Sequence, residues 1–120
     1  MKYLILIGFI LTSGLAFGDE AVSQPIENTQ KYMDKVDLDN GITTFYMPGL
    51  VHKGNWTHRF TEDSDLEQIC EYLGMKEAVG SKSEMMKLDA LESAIKVQYN
   101  GDWFITNLNP IAIITVIHCN

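Results

Sequence analysis

The side chains that could do chemistry are few and scattered. His52, His58 and His118 are the three histidines of this 120-residue chain, and Cys70 and Cys119 its two cysteines. If "HKGNWTHRF" forms one strand, the even separation of His52 and His58 puts them on one face. The strand rise then holds them about 20 Å apart, too far to share a zinc ion. Glu62, Asp63, Asp65 and Glu67 offer oxygens to a hard cation, but they lack the glycine and spacing of an EF-hand loop; capping and solubilising a helix start explains them better. There is no GxSxG, HExxH or glycine-rich phosphate loop, and no nucleophile lies beside a base. No catalytic residue, metal ligand or cofactor is assigned on these grounds. "NWT" at 55 to 57 is the single N-glycosylation sequon, and a glycan is expected on Asn55 with Trp56 on the opposite strand face.

That expectation requires export. Lys2 followed by "YLILIGFILTSGLAF" is a charged start and a short apolar run, read as a signal peptide spanning 1–18 with cleavage after Gly18; an uncleaved anchor is the alternative. Loss of Lys2 leaves 8 basic against 16 acidic side chains, with Arg59 the single arginine. Such a balance excludes a nucleic-acid footprint, which needs a basic stripe. In an exported chain two cysteines most simply form one disulfide, Cys70 to Cys119, which the chain-entropy model values at about 4 kcal/mol. A metal site or pairing between molecules would be the other uses of the two thiols.

The elements that must position these groups follow from periodicity. Residues 19–39 begin polar and aperiodic and read as a flexible leader, with a turn at Asn40-Gly41. "ITTFYMPGLV" reads as a strand interrupted at Pro48-Gly49, and "HKGNWTHRF" as a second strand. Leu66, Ile69, Cys70 and Leu73 fall on one helical face, with a capping box from Ser64 to Glu67 and a stop at Gly74. "SKSEMMKLDALESAIKVQYNGDW" is ambiguous and is read as a helical turn or loop, then a strand ending at Asn100-Gly101. "IAIITVIHC" is a continuous β-branched run, a buried strand that brings Cys119 to the core.

The order of strand with "GNW", acidic turn, helix "EQICEYLGM" and last strand "ITVIHC" resembles the scavenger receptor cysteine-rich (SRCR) domain over residues 40 to 119. Gly54, Trp56, Cys70, Leu73-Gly74 and Cys119 match fixed points of that family. Phe60, Met75 and Tyr99 stand where it has further cysteines. The family's cation ligands correspond to Thr61, Glu62 and Trp103, so its metal site is not carried over. The resemblance implies a non-catalytic binding module and the same helix-to-last-strand disulfide.

The expectation is thus an α+β domain over 40–120, a small curved antiparallel sheet packed on one helix with a single disulfide. It would be a secreted, extracellular monomer with no membrane span, binding an extracellular protein or glycan. Tyr46, Trp103 and Phe104 are the candidate contacts. The rival readings are a protease inhibitor presenting "FYMPGLV" and a carrier of apolar ligands.

Overall fold

The computed structural model describes residues 20–22, 28–52 and 56–120. The signal peptide and Asn55 lie outside the described residues. Ten strands and one helix follow in order: β1 (Glu20–Val22), β2 (Thr29–Tyr32), β3 (Lys35–Asp39), β4 (Ile42–Tyr46), β5 (Gly49–His52) and β6 (Thr57–Phe60). Then come α1 (Leu66–Tyr72), β7 (Ala78–Met86), β8 (Glu92–Val97), β9 (Trp103–Thr106) and β10 (Ile111–Cys119). The class is α+β-like, mostly sheet, with one short helix and one disulfide.

Two sheets replace the single small sheet expected. One has six strands in the order β1-β9-β8-β6-β5-β2, and the other has four in the order β3-β4-β10-β7. Nor is the first wholly antiparallel, because β6 and β8 pair in parallel with α1 and β7 in the crossover between them. A parallel pair needs such a crossover, and the helix supplies it.

The supposed leader contributes strands. β2 pairs with β5 and β3 with β4, both at sheet edges. An edge strand faces water along one side and can be polar, which is why "TQKY" and "KVDLD" did not look like strands. Asn40-Gly41 makes the β3–β4 turn as expected, with φ of 51° and 80°. Two successive positive φ values suit the hairpin twist, and Asn-Gly accepts them readily.

"HKGNWTHRF" is not one strand but a hairpin. The His52 amide donates to the Trp56 carbonyl at 2.8 Å, and Leu50 pairs with His58. Gly49 allows the two strands to close, since a Cβ there would run into the His58 carbonyl oxygen. β7 is likewise a nine-residue strand where a helical turn or loop was expected. It is an edge strand with mostly exposed Ser, Lys and Glu side chains.

The helix lies where its periodicity placed it, but Asp65 caps it. Its Oδ1 accepts the Gln68 amide at 3.0 Å, while Ser64 is buried and accepts the Val97 amide at 3.0 Å. Gly74 ends it at φ 89°. Ile69, Cys70 and Leu73 meet Leu50, Phe60, Ile95, Val97 and Trp103 from the six-stranded sheet and Phe45, Ile117 and Cys119 from the other. Cys70 and Cys119 are disulfide-bonded with Cα atoms 5.8 Å apart, so the helix and the last strand are joined through the centre of this core.

Candidate functional site

Two surfaces gather side chains of functional type. On the four-stranded sheet, Phe45, Ile117 and Cys119 face the core, so the alternate positions turn away from it. Ile42, Thr44 and Tyr46 of β4 therefore share the outer face with Val116 and His118 of β10, which pair with Tyr46 and Thr44. Thr44 Oγ1 and His118 Nδ1 are hydrogen-bonded at 2.7 Å, and the Lys35 ammonium lies 5.2 Å from the Tyr46 ring centroid. Lys35, Asp37 and Lys82 border this half-exposed, largely uncharged patch.

The second cluster is at the β5–β6 hairpin. Its reversal brings His52 and His58, separated by some 20 Å in a single strand, to a ring-centroid distance of 4.8 Å in an edge-on arrangement. Trp56 stacks on His58 at 5.6 Å and 27°, lies 5.7 Å from His52, and donates from Nε1 to Ser93 Oγ at 3.0 Å. His58 shares the core side of the sheet with Leu50 and Phe60 and is only 2% exposed, yet neither ring nitrogen has a hydrogen-bond partner. Burial, and then the neighbouring His52, pushes its pKa down from the ordinary 6.5 to about 4. The ring is held neutral. Behind it on the opposite sheet face, Arg59 Nε donates to Glu92 Oε2 at 2.7 Å. Partial burial of Glu92 acts against ionisation, but the Arg59 bond, the Asp89 amide that donates to Oε1 and the Arg59 charge together outweigh it and keep the carboxyl below its usual range.

The three candidate contacts are not brought together. Trp103 is 1% exposed and stands edge-on to Phe60 and Tyr72, so it belongs to the core and is withdrawn as a surface contact. An indole at the start of β9 on the core side is buried because alternation leaves it no other side. Phe104, next in sequence, faces away from that core opposite Lys96 and is half-buried. Tyr46 lies in the other sheet.

The acidic run disperses as well. Asp65 caps the helix, and Asp63 accepts from Thr61 at 2.6 Å and meets Lys96 at 3.4 Å. Among the described residues no three His, Cys, Asp or Glu side chains converge as a metal site. Of the positions compared with SRCR cysteines, Phe60 is buried, Met75 packs on the core and Tyr99 is 81% exposed. Pro48, Gly49 and Leu50 of the "FYMPGLV" segment are buried, which leaves no protruding reactive loop there. Among the described residues no helix is long and apolar enough to cross a membrane. No known family, curated protein or solved structure matches the chain.

Proposed function

We propose that the chain is a secreted, non-catalytic recognition module of SRCR-like type that binds an extracellular protein through the outer face of its four-stranded sheet. The observation carrying this reading is the composition of that face: Ile42, Thr44, Tyr46, Val116 and His118 form an uncharged centre, with Lys35, Asp37 and Lys82 around it. Charge depleted at the centre, an aromatic ring within it and a charged rim are the marks of a protein-binding patch. The disulfide and the apolar run at the N-terminus support export. The helix-to-last-strand pairing supports the SRCR-like reading, although two sheets and the lost cysteines set this chain apart from that family's pattern.

The test is to screen the oxidised protein against arrays of extracellular proteins and of glycans, alongside Tyr46→Ala and Val116→Lys variants that retain the wild-type circular dichroism. Saturable binding to a protein probe, weakened at least about tenfold by either change, is expected. Binding to glycans alone, binding that ignores both changes, or inhibition of proteases in its place would overturn the reading.

A further inference from the structure

A buried imidazole without a hydrogen-bond partner is costly, because a desolvated polar group loses its bonds to water and regains none. His58 has two such nitrogens, Nδ1 and Nε2. A neutral imidazole carries one N–H and one lone pair, and here the lone pair has no protein donor to receive. The nearest ring is a second imidazole, His52, and no hydrogen bond joins the two. His52 is only half-buried, and it borders a cleft of about 640 Å³ lined also by Asn28, Gln30 and Val51. His52 is thus reachable from solvent, and His58 lies buried directly behind it.

The separation of the rings has a further meaning. Two imidazoles that hold one ion through nitrogens at about 2.0–2.1 Å, at inter-ligand angles of roughly 90–109°, have ring centroids about 4.5–5.2 Å apart. The observed centroid distance is 4.8 Å. We propose that His52 and His58 form a cross-strand two-histidine site for a late first-row divalent transition ion, with Cu²⁺ held more tightly than Ni²⁺ or Zn²⁺. Nitrogen donors favour these ions over Ca²⁺ and Mg²⁺, and the order among them follows the usual affinity series. No third histidine, cysteine or carboxylate joins the pair among the described residues, so water or an exogenous ligand would have to fill the remaining coordination positions. Both cysteines are in the disulfide, which removes the competing thiolate ligands and any thiol able to reduce Cu²⁺. Binding breaks no bond and transfers no electron; a lone pair on each ring replaces a water on the ion.

Trp56 supplies the readout, because its indole stacks directly on His58. Tag-free, oxidised protein is titrated with CuCl₂ and, separately, ZnCl₂ by tryptophan fluorescence, calorimetry and thermal melting. The variants are His52→Gln, His58→Gln and, as a control on the far sheet, His118→Gln. Saturable one-to-one Cu²⁺ binding that quenches fluorescence and raises the melting temperature by several degrees at excess metal is expected. His52→Gln and His58→Gln weaken it at least about tenfold, and His118→Gln leaves it unchanged. If His58→Gln fails to fold, His52→Gln decides, since that side chain is only half-buried. No saturable binding, or binding equally strong in His52→Gln, overturns the site. Loss of binding in His118→Gln with His52→Gln unaffected overturns it too, placing the ion at the outer sheet face.

Discussion

Lowering the pH from 8 to 5 should destabilise the fold through His58. Its pKa is about 4 in the folded protein against the ordinary 6.5, so between those values the unfolded chain binds a proton that the folded one refuses. The contribution is fully present above about pH 6.5 and is lost as the pH falls towards 4. Proton linkage gives a loss of about 2 kcal/mol at pH 5, rising to about 3 kcal/mol near pH 4. The facing groups are His52, whose charge would oppose a second one, and the Trp56 and Leu50 side chains. The carboxyls of Asp63 and Glu92 have pKa values lowered from the ordinary 3.8 and 4.5, so their contributions are lost mainly below pH 5, outside the pH 8 to 5 comparison. Urea unfolding at pH 8 and 5, with EDTA present to keep the site free of metal, reads the effect directly. With a slope of roughly 1–2 kcal/mol/M, the midpoint should fall by about 1–2 M. His58→Phe, which keeps a ring in the stack, should remove most of this pH dependence. A wild-type midpoint that stays flat between pH 8 and 5, or a His58→Phe variant with the same slope as wild type, refutes the reasoning.

Three further outcomes follow from the fold. Replacing both Cys70 and Cys119 by Ala frees a loop with a sequence separation of 49 and should cost about 4 kcal/mol in urea unfolding, chiefly through the unfolded state; a loss under about 1 kcal/mol would mean that the staple adds little. Gly49→Ala places a methyl against the His58 backbone carbonyl, which cannot swing aside as a side chain could, and should destabilise by at least about 2 kcal/mol by the same measurement. Asp65→Ala removes the acceptor for the Gln68 amide and should cost about 1 kcal/mol, whereas Glu67→Ala, at the proposed capping-box partner position, should cost less in a parallel thermal melt.

Where local signals were strong, the sequence sufficed. Asn40-Gly41 permits few backbones other than the turn it makes, the 66–73 spacing has one helical reading, and "IAIITVIHC" is a strand as its β-branched run requires, buried on its core side while Val116 and His118 lie half-exposed on the other. The misses share another cause: they depend on which neighbour a strand finds. β7 carries four consecutive polar residues, Ser81 to Glu84, and tolerates them because it is an edge strand, so neither periodicity nor hydropathy announced it. The polar segment 29–39 is strand because β5 and β4 are there to pair with it. In "HKGNWTHRF" the turn formers Gly54-Asn55 were present. Reading through them as one strand concealed both the hairpin and the histidine pair, since residues six apart along a strand become diagonal neighbours across a hairpin.

The position of His58 also bears on why that pair exists. β6 turns His58 and Phe60 to the core side, and Trp56 continues the ladder at the rim. Stability alone favours an apolar ring at 58, because a phenylalanine would fill the slot between Trp56 and His52 without leaving two buried nitrogens unmet. A residue less stable than its simplest replacement, held rigidly against a second residue of the same kind, is better explained by a ligand than by packing. The metal proposal and the acid sensitivity are then two consequences of one arrangement. Neither His58 nitrogen has a partner to satisfy its lone pair or its N–H, and the half-exposed His52 beside it borders the cleft from which an ion would enter.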